Sequence, residues 1–557
     1  MRLSTNQEQV YSPAKLLNLV AQQQEQISQQ QGQIAKLQAL VEALQAEIRR
    51  LKKLPPKPDI KPNTKPKDDD KKGDNGSDDD NEPPDNLGTR KVEKPGERTR
   101  KSRQPPDKPA TEKIITVEVP DVPPGSTPNG FSSYSVQELT IQAITVEYHL
   151  QQWLMPDGQT ITAKPPESLN GHHYGSQLQS YLLYQHYGCS VTQPQLLDWL
   201  WDVGISMSVG ELHRLLTEGH ADFHEEKDAL LATGLKCSRY IQVDDTGARH
   251  QGQNGYCTII NNELFAWFES TGSKSRENFL SLLPRPWKTY SVTQSALDYL
   301  EKFDYPEKWL SVIRQYMGVT FLNREAWEAA LNDHGLTGNT RRRQAAEALI
   351  YSSLMAHGMG HLTTFSDGAQ QFNVFNHAQC WIHAERGLAK VHPINEQQAS
   401  AQYWCRTWFW AIYNDLKVFK ARPDKSKAQN IRRDFKTLTN TQIDFPDLQD
   451  ALSGLVVIEK ELLQVLDAPS LPLHNNLSES QIREYVKRRK ISGGTKSKAG
   501  RKCRDTFASL KKTCRLYGLS FWYYLKDRIM GNGSFPWLPD LIEQASSDLS
   551  CGLTSSY

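Results

Sequence analysis

The chain has 557 residues, 38% hydrophobic and 23% charged, with a formal net charge of +2. That is room for about three or four domains and for at least one large core. No run of about 18 uncharged apolar residues occurs, which excludes a transmembrane helix, and no apolar segment with a cleavage site opens the chain, so secretion is not expected. The eight cysteines are scattered with no C-x-x-C pair, which excludes a zinc ribbon and a thioredoxin-like site. Thirteen tryptophans beside so few cysteines fit a reduced, cytoplasmic protein.

Residues 14–54 read as one helix. Val20, Ile27, Ile34, Val41 and Ile48 recur at sevens, and Leu16, Leu37, Leu44 and Leu51 form the companion seam with Gln23 and Gln30 in its gap. β-Branched residues on one seam and leucine on the other favour a parallel two-stranded coiled coil, hence a homodimer. An amphipathic helix docked on its own protein is the competing reading; the unbroken sevens and glutamine-rich outer face favour self-association.

Residues 55–113 cannot build a core: eleven of these 59 residues are proline and none is aromatic. They read as a disordered tether with two electrical halves. Asp68 to Asp85 holds nine acids against Lys71 and Lys72, and Arg90 to Arg103 holds seven bases against Glu93 and Glu97. Either the charges serve solubility, or the basic half touches DNA phosphates while the acidic half competes for it.

Residues 114–235 read as a globular DNA-binding region. IITVEVP and TIQAITVEYHLQQWLM alternate like strands. QPQLLDWLWDVGISMSVGELHRLL has the form helix, tight turn, helix. A helix-turn-helix fits that form, with His213 and Arg214 its obvious contacts, and so does a helical hairpin in a core. Then YIQVDDTGAR, GYCTIIN and LFAWFES read as three strands joined by tight turns, and SKSRENFLSLL as a helix. Residues 284–360 are mostly helical by pattern, HLTTFSD is a strand ending in an aspartate, and 395–470 is helical again. Trp404, Trp408 and Trp410 in that stretch read most simply as core.

Three acids stand out by position. Asp244 lies where a strand meets a turn, Asp367 ends a second strand, and Glu479 opens a helix after Asn475-Asn476. Strand ends hold carboxylates rigidly at an open sheet edge, and a helix laid across them converges a third. Hard oxygen ligands of this kind suit magnesium or manganese, here two ions that activate water or a DNA 3′-hydroxyl. Taken singly, each acid is equally a turn residue or helix cap. From Arg483 to Arg515, however, thirteen bases face only Glu484 and Asp505. Arg483, Lys487 and Lys490 share a helical stripe with Glu479, so a phosphodiester could be laid over the acids. Arg483, Lys487, Arg488, Arg489 and Lys490 are the expected DNA-backbone contacts. Cys380 and His383 lack the second pair that zinc needs, so a structural or DNA-proximal role is expected there.

The segments VDDTGAR, SDGAQQFNVF…QCWIHAER and HNNLSESQIR…RRKISGG resemble the catalytic blocks of insertion-sequence-66-type transposases, bacterial DDE transposases with an RNase H-like core. The resemblance covers roughly 236–280, 362–392 and 472–530. It implies that Asp244, Asp367 and Glu479 are the catalytic, metal-binding triad, that His383 and Arg386 approach phosphate, and that element-encoded accessory proteins are partners. Three features depart from the family pattern. Residues 55–188 carry no cysteine where family members commonly have a zinc-binding segment. The first block has Asp244-Asp245-Thr246 in place of Asp-Glu-Thr, leaving Asp245 as the alternative ligand. The interval from Asp244 to Asp367, 123 residues, is long for the family.

The expected fold is α/β, an RNase H-like core whose mixed sheet is flanked by helices. The expected order is a coiled coil (1–54), a charged linker (55–113), a DNA-binding region (114–235), a catalytic domain (236–530) with helical insertions at about 284–360 and 395–470, and a tail (531–557). The expected function is that of a nucleoid-associated DNA transposase. It binds terminal inverted repeats and target DNA as a homodimer or larger assembly, and cuts and joins strands. An RNase H-like nuclease without strand transfer and a non-catalytic DNA-binding descendant are the competing readings. Metal-dependent cleavage and strand-transfer products discriminate among the three.

Overall fold

A computed structural model of the chain describes residues 114–118, 121–137, 139–165, 173–283 and 289–554. The chain divides after Pro95. The coiled coil expected over 14–54 and the tether expected over 55–113 lie outside the described residues.

Among the described residues from 114 to 151 no strand forms. Ile115, Phe131, Tyr134, Ile144 and Tyr148 all face solvent. The nearest regular structure is a small hairpin of β1 (Gln152–Leu154) and β2 (Thr160–Thr162), with Trp153 opposite Ile161. Alternation and β-branching supply strand propensity, but a strand also needs a ladder partner and a surface for its apolar face. The described chain offers neither here, so the expected strands in IITVEVP and most of TIQAITVEYHLQQWLM are corrected.

Packed structure begins with α1 (Ser176–Leu183), which runs into one π-helical turn at Tyr184–Gly188. Then come α2 (Gln193–Asp202) and α3 (Val209–Thr217). The second starts at Ser208, whose hydroxyl accepts from Glu211 N–H at 3.2 Å while the Glu211 carboxylate accepts from Ser208 N–H at 2.9 Å, a reciprocal cap. Gly204, at φ +83°, makes the intervening turn. This is the helix, turn and helix expected over 193–216. Leu196, Leu197, Leu200, Leu212, Leu215 and Leu216 are all buried in a core shared with α4 (Ala221–Cys237), as either reading of the pair requires.

β3 (Tyr240–Gly247), β4 (Tyr256–Asn261) and β5 (Ala266–Thr271) form the expected antiparallel run, followed by α5 (Arg276–Leu282). The first insertion comprises β6 (Tyr290–Ser291), α6 (Gln294–Lys302), α7 (Glu307–Arg314), β7 (Thr320–Phe321), α8 (Arg324–Asp333) and α9 (Asn339–Ala356). Leu300, Ile313, Trp327 and Leu349 give it a core of its own. The chain then returns to the sheet as β8 (Thr363–Ser366) and β9 (Asn376–Gln379), and leaves through α10 (Trp381–Ala389).

The second insertion is α11 (Glu396–Ala421), α12 (Lys425–Asn440), α13 (Pro446–Val457) and α14 (Glu459–Leu463). It packs Phe409, Leu416, Phe435 and Leu452 into one cluster with Trp381. Trp408 and Trp410 lean on that cluster, whereas Trp404 is 41% exposed and meets Trp408 edge-on. The chain ends in α15 (Asn476–Ser492), α16 (Lys498–Leu516), α17 (Phe521–Met530) and α18 (Leu538–Thr554). Leu538 and Ile542 are buried in the helical core that also holds α1 to α4. The stretch expected as a tail therefore holds a packed helix, and no break in packing falls at residue 235.

The main sheet has the order β5-β4-β3-β8-β9. β3 pairs antiparallel with β4 and parallel with β8; β4 pairs antiparallel with β5, and β8 parallel with β9. This mixed order, with one antiparallel strand, is consistent with the expected RNase H-like core. The outer edge of β5 is closed by α16. Ala266 N–H donates to Thr513 Oγ1 at 3.2 Å, Phe268 N–H to Ser509 Oγ at 2.9 Å, and Ser270 N–H to Asp505 Oδ2 at 2.8 Å. Every second residue of a strand advances about 6.7 Å and every fourth of a helix about 6 Å, so the two ladders match. Among the described residues no helix is long and apolar enough to cross a membrane.

Candidate active site

β3 and β8 lie side by side and parallel, with Gln242 opposite Phe365. Two residues further along each direction stand Asp244 and Asp367, so the register alone sets these carboxylates abreast. Asp367 is the first residue beyond β8, and its carboxylate accepts from Ala369 N–H at 3.0 Å. Gly368 makes the turn at φ +103°, a conformation that calls for glycine.

The third acid arrives on α15, which is fastened over the sheet at several points. Fully buried Asn475 precedes the helix; its side-chain amide donates to the Val243 carbonyl at 3.1 Å and its backbone N–H to Cys380 Sγ at 3.4 Å. Ser478 Oγ donates to Asn261 Oδ1 at 2.6 Å. Tyr485 stacks on Phe268 with centroids 5.8 Å apart. Its hydroxyl reaches Asp505 at 3.0 Å and Ser270 Oγ at 2.8 Å. Glu479 N–H donates to Asn475 O at 3.1 Å, one turn into the helix. The residue bonded to the backbone beside Asp244 therefore also starts the turn that carries Glu479.

Burial pushes the Asp244 carboxyl up to about 7, and the neighbouring Asp367, Asp245 and Glu479 carboxylates push the same way against a hydrogen bond from Asp245 N–H. Asp245 is also raised by burial, but Gln371 and Lys274 oppose that, and Gln371 Nε2 donates to its carboxylate at 2.7 Å. Alternate residues of a strand face opposite sides. Asp244 thus lies on the opposite side of β3 from Asp245; Asp367 acts on both, Glu479 on Asp244, and Gln371 bonds Asp245. His383, on α10, lies with Nε2 3.7 Å from the Glu479 carboxylate and Nδ1 unpaired. Burial and the Arg386 charge lower its pKa, against the pull of Glu479 and Asp367. The set is rich in hard oxygen donors and short of positive charge, which suits a divalent cation. Among the described residues no three His, Cys, Asp or Glu side chains are grouped closely enough to hold a metal ion; the three acids are electrostatic neighbours.

The expected phosphate contacts divide by helix phase. Arg483, Lys487 and Lys490 are exposed, with Arg483 3.9 Å from Glu479, and Arg386 is exposed on α10. Arg488 is corrected: at 100° per residue it falls on the sheet-facing stripe of Gln481 and Tyr485, where it is buried over the Tyr187 ring. Arg489 is half-buried and donates to the Gly247 carbonyl, which occupies it structurally. Gln371, Asn475 as a bridge to β3, and the Tyr485–Asp505–Ser270 network were not read from sequence. Of these only Asn475 had a signal, the Asn-Asn pair before the glutamate.

An α/β protein with this mixed sheet, acids at the ends of its two central parallel strands and a basic helix laid across them is the class that fold and site define. Within it, the chain belongs to the IS66 family of transposases. The family model described as "Transposase IS66 family" matches residues 338–503, which take in Asp367 and Glu479. A protein from Sinorhizobium fredii (strain NBRC 101917 / NGR234), named as uncharacterized protein y4jO, is 40% identical over 303 residues, 54% of this chain and 94% of its own length. No solved structure matches the chain.

Proposed function

We propose that this protein is a DNA transposase that binds the terminal inverted repeats of an insertion element, cuts the DNA at its ends and joins the freed strands to target DNA. The observation that supports the reading is that half-buried Asp244 feels both the Asp367 and Glu479 carboxylates, in a chain of transposase family. Asp244, Asp367 and Glu479 would hold two magnesium or manganese ions, which would supply Lewis acidity for the attacking and leaving oxygens.

The rest falls to the chain itself. β3 and β8 fix two carboxylates abreast, and Asn475 and Ser478 fix α15 above them. Glu479 sits beside His383, whose pKa is lowered by burial and the Arg386 charge against the pull of Glu479 and Asp367. Exposed Arg483, Lys487, Lys490 and Arg386 would hold the phosphodiester backbone over the acids, by contacts that position without reading sequence. Water and then the freed 3′-hydroxyl would attack in line, with no covalent protein intermediate required.

The test is manganese- or magnesium-dependent cleavage and joining of the element's terminal DNA by the full chain, against Asp244→Ala, Asp367→Ala, Glu479→Ala and Asp245→Ala. Cleavage and strand transfer by the parent, lost in the first three variants, is the expected result. Manganese should also raise the thermal midpoint of the parent more than that of those variants. Cleavage that survives Asp244→Ala and fails in Asp245→Ala would overturn the assignment of the first ligand. Cleavage without joined products would reduce the protein to a nuclease.

A further inference from the structure

The second insertion presents a basic surface that the catalytic site does not use. α12 buries Ile431, Phe435, Leu438 and Thr439, which lie within an arc of about 100° on a helical projection. Lys425, Gln429, Arg432, Arg433, Lys436 and Asn440 fall on an adjoining arc that holds no acid. Lys425, Arg433 and Lys436 are exposed. Four acids lie near this face, one of them Asp415 of α11, beside Asp434. Asp424 caps the helix by accepting from Lys427 N–H at 2.9 Å. Asp467 pairs with Arg432 at 2.8 Å, and Asp434 stands on the flank 3.4 Å from Arg433. Among the described residues Lys425 and Lys436 form no ion pair. Eleven residues separate them, a rise of about 16 Å, enough to meet two or three phosphates of a duplex strand.

The face is anchored in a core that reaches toward the site. Phe435 and Leu438 anchor α12 in the core that holds Trp381 at the start of α10. From α11, Lys417 and Lys420 both act electrostatically on His474, the residue before Asn475. Exposed Lys417 thus lies near the segment that leads from the second insertion into α15. A solvated face would intersperse acids with these bases; here the acids sit at the helix start, on its flank and on other elements.

From this we infer that the α12 face is a second DNA-backbone surface, gripping duplex DNA away from the reacting phosphodiester. The inference rests on the DNA-transposase reading and adds to it a place where the duplex is held.

The experiment measures binding of the full chain to a random-sequence 40-base-pair duplex by fluorescence anisotropy across a salt series. Removing three phosphate contacts in Lys425→Gln/Arg433→Gln/Lys436→Gln should flatten the slope of log affinity against log salt by about 3 and weaken low-salt binding at least tenfold. Lys425→Arg/Lys436→Arg should keep the parent slope. Lys236→Gln/Lys308→Gln/Lys526→Gln, which removes the same charge from α4, α7 and α17, should change it by less than one. All substituted positions are at the surface or half-exposed, and an unchanged thermal midpoint verifies folding. A parent that binds while the α12 variant keeps its slope overturns this inference alone, as does an equal loss in the α4, α7 and α17 variant. A parent that binds no duplex at low salt overturns the DNA reading with it.

Discussion

Asn475 shows how much one uncharged side chain can control at this site. It has no solvent exposure, and its amide spans from the start of α15 to the backbone beside Asp244. Asn475→Ala deletes that bridge and leaves the Val243 carbonyl short of a partner, a cost of about 1–3 kcal/mol in stability. The larger expected effect is on rate, because a displacement of about 1 Å among reacting groups costs on the order of 10²-fold. Asn475→Asp should be worse than alanine, since it sets a carboxylate against a carbonyl and adds a fourth acid to the cluster. Cleavage rates measured beside thermal midpoints check both; an Asp variant as active as the parent would remove Asn475 from the site's architecture. Asp244, Asp367 and Glu479 could be singled out from sequence because strand ends and a helix start are visible in local pattern. Arg488 could have been placed too. Counting bases from Arg483 to Arg515 ignores helix phase, and phase is what turns Arg488 toward Tyr187.

Single elements are held by ladders that local pattern does not reveal. RKCRDTFASLKKTC reads as a basic amphipathic helix, and nothing in it announces that Asp505, Ser509 and Thr513 will complete the edge of β5. That pairing spans more than 230 residues, so no local window contains it. Ser509→Ala should cost about 1–3 kcal/mol by leaving Phe268 N–H unsatisfied in the core, measurable by chemical denaturation.

α15 and α16 are also joined through Glu484, which pairs with Lys511, with Lys512 at 2.5 Å and with Arg515 at 2.8 Å. Burial pushes the Glu484 carboxyl up, but Lys512 and Lys511 outweigh it and hold it at about 2. Burial pulls Lys511 down in spite of Glu484, so part of the gain is offset, and acid destabilisation is the direction that stands. A carboxyl lowered on folding stabilises above its unfolded pKa, and that stability is lost as pH falls from about 4.5 toward about 2. Glu484→Gln should therefore flatten the acid limb of a stability–pH curve in that window and lower stability at pH 7 by about 3 kcal/mol.

Across the whole molecule, what was legible follows the range of the interactions. β3, β4 and β5 were read correctly because each neighbour in sequence is also a neighbour in the sheet. β8 was recognised as a strand, but its place beside β3, across the first insertion, is a tertiary fact. The stretch 114–151 failed the other way, since alternation looks the same whether or not a partner waits for it. That contrast in packing makes a prediction about digestion. Phe131, Tyr134, Tyr148 and Trp153 are all exposed, and among the described residues before Tyr174 none packs in a core. From Leu182 to Ile542 the aromatic side chains are largely held in shared cores, with Phe223, Phe507, Phe521 and Tyr524 in one and Trp381, Phe409 and Phe435 in another. Proteolysis follows exposure and local opening, so brief chymotrypsin treatment should cut first at 131–153. The product should begin between 132 and 154 and retain α1 to α18. Mass spectrometry of the first fragments reads the result directly. Early cuts inside the insertions, at Tyr299 or Phe409 for instance, would mean that those helical arms open more readily than their buried cores allow.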